Sequence, residues 1–182
     1  MSNNRPIQIA VSGKSGCGNS SVSKELSKHF GVRLINYTFH SIADEMGIPF
    51  DEFCQMAEQD NQWDFKVDDR QIGLAKSGPC ILGSRLAIWL WKESPLKVYL
   101  EATPEVRAGR IHNREGGDYT TVLIKTQARD NRDHDRFFRL YGIDNDNLDV
   151  ADLVIDVNSK SIQEIVNMIV THWNQMKPEL TL

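Results

Sequence analysis

Residues 13 to 20, Gly-Lys-Ser-Gly-Cys-Gly-Asn-Ser, keep most of a phosphate-binding frame, G-x-x-x-x-G-K-[ST]. Gly13 and Gly18 stand five apart and Ser20 supplies the hydroxyl, but Asn19 occupies the lysine position. Glycines let successive N–H groups turn inward onto an anion without a Cβ in the way. A helix beginning at the end of the loop adds about half a positive charge facing the same point. Ser20 is the residue whose hydroxyl would meet magnesium. The charge missing at Asn19 belongs near the outer phosphates, and Lys14, directly after Gly13, is placed to supply it from the other end of the loop. The alternative is a tight turn before a capped helix, with Lys14 merely solvated.

Phosphoryl transfer needs positive charge arranged around the moving group, because its catalysis is largely positioning and electrostatic stabilisation. Two segments offer it. Arg107, Arg110 and Arg114 fall at offsets 0, 3 and 7, one side of a helix, and so do Arg129, Arg132, Asp133 and Arg136 at offsets 0, 3, 4 and 7. Between them Gly116-Gly117 could hinge a flap that closes over a nucleotide and excludes water. The competing reading is an Arg129–Asp133 ion pair on a solvated helix face.

These residues need a scaffold that brings them together. Ile7 to Val11, 32 to 35, 80 to 83, 96 to 102 and 152 to 157 are largely apolar runs of strand length. Helical spacing appears over 21 to 30, ending at Gly31, in two helices over 38 to 60 divided at 47 to 49, and in a stretch stopped at Gly78-Pro79. It continues from Pro104 to Arg114 and from about Thr121 to Tyr141. The closing helix carries Ile162, Ile165, Val166, Ile169, Val170 and Trp173, a core-facing stripe. Apolar strands alternating with helices predict an α/β domain with a parallel sheet covered on both faces. Ligands in such folds lie at the carboxyl ends of the strands, where the glycine-rich loop and the segments after Leu82 and Glu101 converge.

The chain has 182 residues, which suits one domain with a sizeable core. A net charge of -4 argues against general binding to nucleic acid or anionic membranes. Cys17, Cys54 and Cys80 are odd in number and lack C-x-x-C spacing, so a reducing compartment is expected in place of a disulfide framework or structural zinc. The N-terminal apolar run is too short for a signal peptide and no stretch approaches a membrane span, which makes a cytoplasmic location the expectation.

Taken together, the loop, "DEMGIPFDEF", "DDRQIGLAKSG", "SRLAIWL", "LEATPEVRAGRIHNREG", "RDNRDHDRFFRLYGID" and "DLVID" resemble the cytidylate kinases in their short, archaeal-like form, over roughly residues 7 to 157. The resemblance implies a P-loop nucleoside-monophosphate kinase fold with a five-stranded parallel sheet, helices on both faces and a helical lid. One domain would span 1–182, with a monophosphate-binding helical insertion at about 36–78 and the lid at about 107–136. It implies transfer from ATP, with Mg²⁺, to CMP or dCMP. Gly13, Lys14, Ser15, Gly16, Cys17, Gly18, Asn19, Ser20 and Ser21 would then hold the ATP phosphates, with Ser20 toward the metal. Arg85 matches the arginine that holds the acceptor phosphate, Arg110 and Arg114 match lid arginines, and Arg129 and Asp133 match a pair on the acceptor-nucleotide side. Lys14, Arg85, Arg110, Arg114 and Arg129 are the candidate catalytic cations.

Short members often carry threonine at the position of Asn19, so a missing loop lysine is tolerated in the family. Other departures fall in the site: "NYTFH" stands for "GDIFR", which puts Tyr37 and His40 near the monophosphate, and "GSR" at 83 to 85 stands for "EGR". His40 is either a surface or capping residue or a phosphate contact that works best protonated. The partners expected are small-molecule nucleotides, and the expected state is a monomer. The alternatives are a nucleotide-binding regulator without turnover and a kinase for another small acceptor.

Overall fold

Five apolar runs become strands: β1 Gln8–Gly13, β2 Arg33–Ile35, β3 Cys80–Gly83, β4 Leu96–Glu101 and β5 Leu153–Asp156. In the computed structural model, which describes residues 5–176, they form one parallel sheet in the order β2-β3-β1-β4-β5. The domain expected over 1–182 therefore extends outside the described residues at both ends. Ile9 lies opposite Ile81 on one side and Leu96 on the other, so β1 is central. The chain leaves β1 toward β2 and β3, then crosses to β4, so the topological switch falls at the carboxyl end of β1. The glycine-rich loop begins there.

Side chains along each strand alternate between two cores, which is why the runs are apolar throughout. Ile9, Val11, Val98 and Leu100 pack with α1 (Asn19–Phe30) and α8 (Ile162–Gln175). Ala10, Leu82 and Tyr99 face the opposite core, with Ala75 of α4 (Gln62–Lys76) and Ala87 and Ile88 of α5 (Ala87–Leu90). In α8 the buried stripe is Ile165, Val166, Ile169 and Trp173. Each such side chain contributes about 1.5–3 kcal/mol of burial. A capping box between Ser161 and Glu164 starts that helix. Ile162, the first residue of the expected stripe, is 42% exposed and free for another role.

A third, smaller core lies away from the sheet. Phe53 and Ala57 of α3 (Phe50–Gln59) pack with Ile42 and Ala43 of α2 (Phe39–Met46) and Val67 of α4. Phe39 and Trp63 meet the Phe53 ring edge-on. The helices between β2 and β3 thus carry their own apolar centre. The remaining two, α6 (Pro104–Glu115) and α7 (Tyr119–Tyr141), lie side by side, joined at Gly116-Gly117. Thr103 and Asp118 cap them by accepting from Val106 N and Thr121 N. Helix α5 has no counterpart among the expected elements, since four residues are too few to show a helical period. All three cysteines are free, and among the described residues no helix is long and apolar enough to cross a membrane.

Candidate active site

The loop from Gly13 to Gly18 is shaped by contacts behind it. Gly16 has φ +88°, and a Cβ there would come within 2.8 Å of the Arg107 carbonyl oxygen and Cβ, so the loop rests directly on α6. Cys17 N donates to the Lys14 carbonyl at 3.1 Å and closes the turn. Gly18, with φ +91°, is the N-cap of α1 and brings no capping side chain. The first N–H groups of α1 are therefore unspent, the condition for an anion site at a helix start. No atom lies within 4 Å of where a Gly18 Cβ would stand. The hollow fits phosphate oxygens.

Arg107 is fully buried, paired with Asp130 of α7 and donating to the carbonyls of Ala102 and Ser15. It braces the loop from behind and does not line the cavity that Arg110 and Arg114 reach, although the three share one side of the helix by spacing. Arg110 donates to the carbonyls of Gly16 and Cys17 at 3.4 Å and of Val157 at 2.5 Å. Arg114 sits further out beside Glu115. Asn19 turns back along α1, where its Oδ1 accepts from Ser23 Oγ at 3.2 Å. Lys14 Nζ lies 2.6 Å from Asp146 Oδ1.

Helix α7 is tied to the rest of the fold at several points along its length. Besides Asp130 with Arg107, Asp133 accepts from Arg85 at 2.5 Å, Arg136 pairs with Asp64, and the Tyr141 hydroxyl donates to Asp68. The alternative Arg129–Asp133 pair is thus replaced by a longer-range one. Arg129 instead donates to Ser15 Oγ at 3.2 Å. Desolvation lowers its pKa and the nearby Arg85 guanidinium adds to this, while Asp133 opposes. The two guanidiniums converge on one space. Beneath them Ser12, wholly buried, donates to the Ser84 carbonyl at 2.8 Å and accepts from Ile88 N, fixing the turn that carries Arg85.

Two cavities flank this turn. The first, about 610 Å³, follows the loop from Gly13 to Val22 and reaches Ser161, Ile162 and Ile165 of α8. It is lined by Lys14, Arg85, Arg110, Arg114 and Lys160, with no carboxylate. Such a concentration of cations in a chain of charge -4 marks a polyanion site. The second, about 530 Å³, opens over α2, α3 and α4 and is lined by Arg85, Arg129, Asp64, Asp68, Gln71 and His40 among others. The two share Asn19, Ser20 and Arg85. His40 stacks on Phe50, with centroids 3.4 Å apart and planes 14° from parallel. Tyr37 is turned to Glu45, to which its hydroxyl donates at 2.8 Å.

Of the residues singled out in the sequence, Gly13 to Ser21, Arg85, Arg110 and Arg114 line the first cavity, and His40, Arg85 and Arg129 line the second. Asp133 lies behind Arg85. Sequence reasoning missed Lys160, just before α8, and Ile162, at its start, which reach the first cavity, and Asp64, Asp68 and Gln71 of α4. A signal for the last three was present: offsets 0, 4 and 7 place them on one helix face. His134, Asp144 and Asp146 also bring possible ligand atoms within 4.8 Å of one another, but Lys14 and Asn145 already bond into that group.

Known proteins resemble this chain in sequence and in fold. A model of the cytidylate kinase-like family matches residues 8–159. The chain is 47% identical over 167 residues to cytidylate kinase 2 of Borreliella afzelii, covering 90% of this chain and 94% of that one. It is 33% identical over 174 residues to the cytidylate kinase of Pyrococcus horikoshii, covering 94% and 91%. A crystal structure of shikimate kinase from Bacteroides thetaiotaomicron superposes with a TM-score of 0.63 over 93% of this chain and 99% of that one, at 12% identity, and so shares the fold. By sequence, the chain belongs to the cytidylate kinase-like family.

Proposed function

We propose that the protein transfers the γ-phosphoryl group of ATP to CMP or dCMP, giving ADP and CDP or dCDP. The observation that carries this reading is the meeting of two cavities, each lined by arginines, at Asn19, Ser20 and Arg85. A phosphoryl group passing from one occupant to the other has to cross there. Membership of the cytidylate kinase-like family supports the same reading and favours it over a regulator without turnover.

In this reading the donor triphosphate lies along Gly13 to Ser21, held by main-chain N–H groups and the start of α1. Its nucleoside end rests toward Ile162 and Ile165, between the stems of Arg110 and Arg114. Ser20, in the first turn of α1 and on both cavities, would hold Mg²⁺. The metal offsets phosphate charge. Lys14 exchanges Asp146 for the outer phosphates and covers for the ammonium absent at Asn19. Arg85 exchanges Asp133 for the acceptor phosphate, with Arg129 beside it and His40 at the cavity wall.

An acceptor phosphate oxygen forms the new bond to the γ-phosphorus as the bond to the β-bridging oxygen breaks. That acceptor oxygen is already anionic, so no base has to remove a proton. The chain's contribution is to hold two polyanions together and keep water out. The test is coupled ADP release with CMP, dCMP, UMP, AMP and no acceptor, alongside calorimetric nucleotide binding. Turnover with CMP and background release without acceptor are expected. ATP binding without turnover of any monophosphate would overturn the reading.

A further inference from the structure

In the kinase reading a nucleoside monophosphate occupies the second cavity, and the assignment of a base-selecting wall there rests on that reading. Helix α4 presents Asp64, Val67, Asp68 and Gln71 to that cavity, at offsets 0, 3, 4 and 7. Two of the polar three have the sense of their hydrogen bonds set by neighbours. Gln71 is only 7% exposed, and its Nε2 donates to the Tyr37 carbonyl at 2.6 Å. A carbonyl can only accept, so the amide cannot be turned over, and Oε1, with no partner on Tyr37, is the acceptor that Gln71 brings to the cavity it lines. Asp68 accepts from the Tyr141 hydroxyl, which comes from α7 on the other side. Its carboxylate keeps further acceptor capacity and has no proton to give. Asp64 is spent, since both of its oxygens face Arg136. The acceptors left on this wall are therefore Asp68 and Gln71 Oε1.

Cytosine and uracil differ in what they show such a wall. Cytosine carries an amino donor at C4, and the 4-oxo pyrimidines carry an acceptor there. An amino group satisfies the wall, whereas a carbonyl sets oxygen against oxygen and leaves buried polar atoms unpaired. We propose that Asp68 and Gln71 select a 4-amino pyrimidine over a 4-oxo one, by accepting from the exocyclic amino group of the acceptor base.

The surroundings of Asp68 agree. Burial pushes its carboxyl up to about 6; the Tyr141 bond opposes this, and Asp64 and Asp69 add to it. The folded value lies above the ordinary one of 3.8, so this group's contribution to stability is lost as pH rises from there through about 6. A carboxylate kept where its charge is unfavourable is a mark of use. The charged and titratable groups around it are Asp64 and Asp69 on α4, Tyr141 and Arg136 on α7, and, across the cavity, His40, Arg85 and Arg129. Arg136 is taken by Asp64, and among the described residues no ion pair engages Asp68. Protonation would turn Asp68 into a donor able to meet a 4-oxo group, so discrimination narrows below about pH 6.

The experiment compares CMP with UMP in wild type and Asp68→Asn, by kcat/KM and by calorimetric binding, at about pH 7.5 and about pH 5.5. In the variant the Tyr141 hydroxyl holds the amide oxygen and turns the NH₂ toward the base. The CMP-to-UMP ratio is expected to fall roughly 10- to 100-fold, CMP losing and UMP gaining. In wild type the ratio should narrow at the lower pH without any substitution, and in the variant it should not move. A purely structural role for Asp68 would weaken both nucleotides equally and overturn the proposal, as would a wild type that binds UMP as tightly as CMP. Turnover of CMP with an unchanged ratio sinks the base selection alone. Selective CMP binding without turnover sinks the kinase reading and upholds the selection.

Discussion

In the proposed kinase reading the donor-side cavity is walled by main chain and cations, with Gly13 to Ser21 facing Arg110, Arg114 and Lys160, whereas the acceptor-side cavity sets Arg85 and Arg129 against Asp64, Asp68 and Gln71. The first wall is built from groups every residue carries, so what it recognises is the phosphate chain. The second is built from side chains of fixed hydrogen-bonding sense, so it can discriminate. The contrast bears on Asn19. It lies on the wall where amide dipoles and several cations share the charge, and its own side chain is occupied with Ser23. A comparable change at Arg85, which both cavities share, has no such reserve.

The largest effect expected from testing this contrast lies behind the donor wall. Replacing Arg107 by alanine leaves the largely buried Asp130 carboxylate alone and removes the support under Ser15. Breaking a buried pair in this way should cost about 3–5 kcal/mol, read by chemical denaturation. A loss below about 1 kcal/mol, the range of exposed pairs, would mean the loop is not held from behind. Next comes Gly16→Ala, which meets both a left-handed backbone and the Arg107 carbonyl. The backbone penalty of about 1–2 kcal/mol alone corresponds to roughly 5- to 30-fold, so ATP affinity should fall by at least that much while CMP affinity holds. Equal losses for both nucleotides in calorimetry would dissolve the distinction between the walls. The smallest effect is expected from Lys14→Ala, with kcat down about tenfold and ATP affinity little changed. An unchanged kcat would mean that amides, arginines and magnesium suffice, and Asn19→Lys would then add nothing.

The sheet and the phosphate loop were legible in the sequence because apolar runs, glycines and helix periodicity are local signals. The position of Arg107 was not. Offsets 0, 3 and 7 give the face of a helix, yet Arg107 lies roughly 10 Å below Arg114 along the axis, at the depth where the loop packs. Periodicity reports angle and is silent on depth. Asp133 was obscured for a related reason: the neighbour four residues away was in view, and Arg85, 48 residues distant, was the partner. The polar face of α4 was equally open to a solvated reading until α7 came to lie across it.

Four ties of α7, at Asp130, Asp133, Arg136 and Tyr141, reach Arg107 behind the loop, Arg85, and Asp64 and Asp68 of α4. One residue added within this stretch would swing everything beyond it by about 100° and slide it about 1.5 Å, and every later tie would miss. Extra residues at Gly116-Gly117 would leave all four in register. The helix thus works as a ruler, and over the course of sequence change its length from Asp130 onward is the dimension least free to vary.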